Sequence, residues 1–73
     1  MEIHFSRHAR RQMKWREIDE AEVKTTISNP EKVVDSIRGR KNAFRHIGEK
    51  LLKVTYTQDE NRIIIITAID KNK

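Results

Sequence analysis

His8, Arg11 and Trp15 stand at i, i+3 and i+7, the spacing that sets side chains along one line of a helix. They belong to the stretch Ser6 to Ile18, in which Ser6 is the natural N-cap and its hydroxyl accepts a backbone N–H of the first turn. Ala9, Met13 and Arg16 then share one face of that helix, and Arg7, Arg10 and Lys14 share the solvent face. Along the boundary of the apolar stripe an imidazole, a guanidinium and an indole line the mouth of a cleft. An imidazole exchanges protons near neutral pH, a guanidinium grips phosphate, and an indole offers a face for a stacked base. The plainer reading makes His8 a helix-boundary residue bonded to backbone and Trp15 the edge of the core.

Most other chemistry lacks its equipment. The chain has no cysteine for a thiolate metal site or a disulfide, no glycine-rich phosphate loop, no Gly-x-Ser-x-Gly elbow and no carboxylate pair on one face. His4 and His8 are four apart, but His4 precedes the Ser6 cap on a strand pattern and no carboxylate completes a set, so neither a metal nor a cofactor is expected. What remains is chemistry available to His, Arg and Lys alone, of which cleavage of RNA by its own 2′-hydroxyl is the clear case: it needs a base, an acid and cations around the phosphorane.

The charge agrees. Sixteen Lys and Arg against eleven Asp and Glu leave 73 residues with a net charge of +5. Ile3 to Arg16 holds five cationic residues and two histidines with no carboxylate, and Arg38 to His46 adds Arg38, Arg40, Lys41 and Arg45, again without one. Such stretches favour a polyanion or an acidic partner chain over a merely solvated surface. No apolar run approaches the roughly 20 residues of a membrane span, so the cytoplasm is the expected compartment and no membrane partner is expected.

The elements that must position these residues form one small domain over 1–73. Glu2 to Ser6 alternates as a short strand at a sheet edge. The first helix stops near Arg16 to Ile18. A second opens with Asp19 as N-cap, Glu22 completing a capping box, and an Ile18 to Val23 staple. Val23 and Ile27 carry its buried face, and Ser28-Asn29-Pro30 ends it. The period then becomes two, giving strands over Lys32 to Ile37, Lys41 to Ile47, Lys50 to Thr57 and Arg62 to Ile69, joined at Gly39, at Gly48-Glu49 and at Gln58 to Asn61. No further helix is indicated. The expected architecture is α+β: a short strand, a two-helix hairpin and a four-stranded antiparallel meander. With Ile47 opposite Lys50, the face bearing Ala43, Leu52, Val54 and Tyr56 meets the helices, while Phe44, His46, Leu51, Lys53 and Thr55 occupy the other face and make His46 and Lys53 neighbours.

Ser6, His8-Ala9, Met13, Arg16 and Ile18 together resemble the motif Ser-x-His-Ala-x-x-Arg-Met-x-x-Arg-Gly-Ile that opens a family of small uncharacterised prokaryotic domains; Asn29-Pro30 and Ile66-Thr67 match its helix end and last-strand pair. That family looks related to the RelE, ParE and BrnT type toxins of toxin–antitoxin modules, whose compact fold is similar to that of several microbial ribonucleases. The resemblance implies a toxin-like, metal-independent endoribonuclease; on the residue chemistry, His8 is its acid or base, Arg11, Arg45 and Lys53 hold phosphate, and His46 and Thr67 assist. Arg7, Arg10, Lys14, Trp15, Arg16, Arg38, Arg40 and Lys41 would carry the rest of the RNA contact. Its partners would be RNA, in association with the ribosome, and a small acidic antitoxin. The alternative is a non-catalytic RNA-binding or protein-binding module of the same fold. Two positions depart from the motif, Gln12 for arginine and Glu17 for glycine. Arg11, one place early, points about 100° round the helix from the missing charge.

Overall fold

The computed structural model describes residues 2–73. Strand β1 (Glu2–Phe5) leads through Ser6 into helix α1 (Arg7–Trp15), where the Ser6 hydroxyl accepts the N–H of Ala9 at 3.0 Å. At the other end Glu17 takes a left-handed conformation, φ 57°. The N–H of Ile18 then reaches back to the Met13 carbonyl at 2.9 Å and that of Glu17 to Lys14 at 3.4 Å, the paired bonds of a Schellman turn. The glycine of the resembled motif thus falls where a residue without Cβ fits best, and Glu17 adopts that geometry at some cost in strain.

Helix α2 (Glu20–Ser28) carries the full capping box: Glu22 N–H to Asp19 Oδ1 at 2.8 Å and Asp19 N–H to Glu22 Oε1 at 3.0 Å. Ile18 and Val23 are both buried across the cap. Thr26, not foreseen in the core, is fully buried and donates its hydroxyl to the Glu22 carbonyl at 2.9 Å, which removes the cost of hiding it. Ile27 is half-buried beside it.

The sheet contains β2 (Lys32–Asp35), β3 (Lys41–Ile47), β4 (Lys50–Asp59) and β5 (Arg62–Asp70), in the order β1-β5-β4-β3-β2. It has five strands and is mixed, which corrects the expected four-stranded antiparallel sheet: β1 joins it parallel to β5, with Ile3 beside Ile63 and Phe5 beside Ile65. The cause is burial. Ile3 and Phe5 pack on the core only if β1 lies against β5, and β5 is thereby covered along its first half. The strand expected to reach Ile37 stops at Asp35, because Ser36 N–H bonds to the Arg40 carbonyl at 2.8 Å and a single 3₁₀ turn, Ile37–Gly39, intervenes. The last turn shortens to Glu60-Asn61, since β4 and β5 keep pairing out to Asp59 and Arg62.

Ile47 lies opposite Lys50, and the face bearing Ala43, Leu52, Val54 and Tyr56 is buried with Ala9, Met13 and Val23. The two helices rest on different strands, α1 on β5 and α2 on β3 and β4. The opposite face of the sheet has no helix upon it. Between Thr55 and Tyr56 the register of β4 with β5 shifts by one, leaving Ile66 as the extra residue of a bulge beside Thr67. No helix among the described residues is long and apolar enough to cross a membrane.

Candidate nucleic-acid site on the first helix

An open pocket of about 300 Å³ is lined by His8, Arg11, Gln12, Trp15 and Arg16. His8 and Arg11 are exposed, and the Trp15 ring is 85% exposed, which overturns the core-edge reading of that residue. Held in water, the indole presents its face to whatever approaches the pocket.

The electrostatics of α1 point the same way. Its first turn carries no acid, and Arg7, His8 and Arg10 crowd the end where the helix dipole is already positive. Like charge there costs a few tenths of a kcal/mol, but it also concentrates positive potential where an anion would approach.

One wall of the pocket is anchored to the sheet. Gln12 Oε1 accepts from Arg16 Nη1 at 3.0 Å and, closer still, from the Thr67 hydroxyl. Arg16 Nη1 also donates to the Ala68 carbonyl at 2.9 Å. Pairing of β1 with β5 ends at Ile65, so Arg16 binds the strand beyond the point that β1 reaches. Half-buried and bonded in this way, Arg16 positions α1 on β5 as well as lining the pocket, a role the spacing did not reveal. Gln12, noted at first only as a missing arginine, joins helix to strand. Its signal was its i, i+4 relation to Arg16.

Of the proposed catalytic residues, the structure brings His8 and Arg11 together, with Thr67 behind them through Gln12. It does not add the other three. Arg45 points to the helix face and donates Nη1 to the Asn29 carbonyl at the end of α2, 3.0 Å. His46 places Nδ1 2.8 Å from Glu31 Oε1, and its backbone N–H bonds to Glu31 Oε2 at 3.2 Å. These two bonds, the ring first, hold the Glu31 carboxyl below the usual range. Lys53 stands on the open sheet face, directly opposite Phe44 and diagonal to His46, as the register predicts. Strand alternation explains the division, because Arg45 is odd in a strand whose even residues face away from the helices.

Among the proposed RNA contacts, Arg7 and Lys14 are exposed on the outside of α1. Arg10 is tied down by an ion pair with Glu20, and its guanidinium lies 5.4 Å from the centre of the Phe5 ring. Arg38, Arg40 and Lys41 lie at the turn between β2 and β3, on the far edge of the sheet from α1. The two basic stretches therefore do not merge into one surface. A larger pocket of about 540 Å³ lies elsewhere and is acidic on balance, with Glu17, Glu22, Glu49 and Asp70 against Lys50 and Lys73. Lys50 is committed to the Glu17 carbonyl at 2.6 Å and to both oxygens of Glu22 at 2.9 and 3.1 Å. That lining would repel a polyanion.

None of the curated proteins and none of the solved structures matches the chain. A family model described as "Domain of unknown function (DUF4258)" matches residues 5–70, from the end of β1 to the last residue of β5. With nearly its whole length so matched, the chain belongs to the DUF4258 family.

Proposed function

We propose that the α1 pocket binds single-stranded RNA and that the domain is a toxin-like, metal-independent endoribonuclease on a RelE-like scaffold, held in check by a small acidic antitoxin. The observation that carries this reading is the Trp15 ring, 85% exposed beside His8 and Arg11. A base stacks on the indole, and Arg11 draws the adjoining phosphate toward His8. In the reaction the 2′-oxygen attacks phosphorus, the bond from phosphorus to the 5′-oxygen breaks, and a 2′,3′-cyclic phosphate is left. His8 either removes the 2′-hydroxyl proton or supplies the one that the departing 5′-oxygen takes up, water exchanging the other proton, and Arg11 offsets the charge that builds on the phosphorane.

A second reading, RNA binding without cleavage, is favoured by one observation: with Arg45 and His46 bonded elsewhere, His8 is the sole imidazole in the pocket. The same experiment separates the two. Purified protein is incubated with naked RNA and with translating ribosomes, with and without chelator, beside His8→Ala and Trp15→Ala. The enzyme reading expects chelator-resistant cleavage that His8→Ala lowers by about 10²- to 10⁴-fold at nearly unchanged RNA affinity. Trp15→Ala instead weakens binding. With about four phosphates neutralised, log K falls against log salt with a slope near −3. Binding without cleavage establishes the second reading, and the absence of both removes RNA from the partner list.

A further inference from the structure

The open face of the sheet carries a second pattern that the α1 site does not use. One row of directly opposed residues crosses four strands: Lys32 on β2, Phe44 on β3, Lys53 on β4 and Ile69 on β5. Cation, ring, cation and aliphatic chain alternate along it. Phe44 has Lys32 Nζ 5.9 Å and Lys71 Nζ 6.0 Å from its ring centre, so ammonium groups from two sides attend one aromatic ring. Glu31, whose carboxylate meets this face at His46, is already engaged by that residue. Here the face is therefore cationic and aromatic at once.

This face also meets the α1 pocket. The next row runs Val34, Asn42, Thr55, Thr67, and Thr67 is the residue whose hydroxyl bonds Gln12 in the pocket wall. From Thr67 to Phe44 is two strands across and two residues along, about 12 Å from standard sheet spacings. The intervening side chains, Thr55 and Asn42, are small, polar and bonded to each other at 2.7 Å. A strand leaving Trp15 would cross uncharged hydroxyl and amide groups before reaching the ring.

We infer that the open sheet face is a second subsite for the same single-stranded RNA, in which a base stacks on Phe44 while Lys32, Lys53 and Lys71 take the phosphates on either side. The inference rests on the RNA reading of the α1 pocket and assigns that ligand a path from helix to sheet. Flexible lysine stems allow the ammonium groups to swing from the ring to phosphate when a base takes their place. Stacking on Phe44 is indifferent to base identity, so this subsite lengthens the footprint without imposing a sequence.

Two 2′-O-methylated oligouridylates, which cannot be cut by their own hydroxyls, test it: a dinucleotide that fills only the α1 pocket and an oligomer of about ten residues. Binding is followed by quenching of Trp15, the chain's one tryptophan. Phe44→Ala is expected to weaken the long oligomer by about 5- to 100-fold and to leave the dinucleotide unaffected. Lys53→Gln, which leaves the ring in place, should weaken the long oligomer alone and flatten its salt dependence. If both variants bind the long oligomer as tightly as the parent while Trp15 is still quenched, the sheet subsite is refuted and the α1 site stands; a face reserved for an acidic protein gives that result. If neither oligomer quenches Trp15 or binds, the RNA reading fails and the sheet subsite falls with it.

Discussion

Helices α1 and α2 are each nine residues long and each begins at a side-chain cap, but they are built to different ends. α2 follows the rules for a stable N-terminus. Its cap is reciprocal, its first turn holds Glu20 and Glu22 where the helix dipole welcomes them, and Val23 and Thr26 are fully buried. α1 has a single hydroxyl cap, places Arg7 and Arg10 at the positive end of its own dipole, and leaves Trp15 in water. A helix maintained for packing alone would resemble α2. Arg10 is offset by its ion pair with Glu20, but Arg7 and Trp15 have no such partner among the described residues, and sites where local rules are broken are the sites to search for function.

The contrast can be broken in three ways. The largest effect should come from Asp19→Ala, which removes half of the capping box and lowers stability by about 1 kcal/mol in denaturant titration. RNA affinity per folded molecule should not change, and a binding defect in folded protein would move the functional surface to α2. Arg7→Glu should act with opposite signs on the two properties. A carboxylate in the first turn of α1 raises stability by about 0.3–1 kcal/mol, seen as a higher Tm, while RNA binding at low salt weakens. Equal affinity would show that the outer face of α1 does not touch phosphate.

The smallest effect concerns Glu31, whose carboxyl is held below its usual range by His46. A group with a depressed native pKa contributes stability that is present above its unfolded value, about 4.3 to 4.5, and is lost as pH falls through the native value. Tm should therefore decline below about pH 4.5, and Glu31→Gln should flatten part of that decline, with Glu2, lowered in the same direction by His4, supplying some of the remainder. RNA cleavage by Glu31→Gln near neutral pH should equal that of the parent, which would separate His46 from the chemistry of α1.

What could be read in advance was what neighbouring residues decide among themselves. The Asp19 and Glu22 capping box and the hairpin at Gly48-Glu49 depend on residues a few positions apart, and both stand as their spacing predicts. The parallel alignment of β1 on β5 does not, because nothing between Glu2 and Phe5 names a partner that far along the chain. The site divides in the same manner. Helical spacing placed His8, Arg11 and Trp15 together. Whether Arg45, His46 and Lys53 would join them depended on the packing of sheet against helix, where Arg45 met the end of α2 and His46 met Glu31 first. The commitment of Arg16 to the Ala68 carbonyl was hidden for a related reason: it answers a gap at the β5 edge that exists only because β1 is short.

The pairing of β1 with β5 also sets an order of events. Ile3 finds its partner only at Ile63, and a chain growing at about 5–20 residues per second takes roughly 3 to 12 s to cover that distance. Until β5 is made, β1 has no strand to join, and Gln12 and Arg16 have neither Thr67 nor Ala68 to hold α1 in place. The hairpin of β3 and β4 needs only local contacts and no residue beyond Asp59. A nascent chain on its ribosome would therefore display the arginines of α1 without an assembled pocket. On the endoribonuclease reading proposed above, the ribosome making the chain would not meet an assembled α1 pocket until β5 is in place.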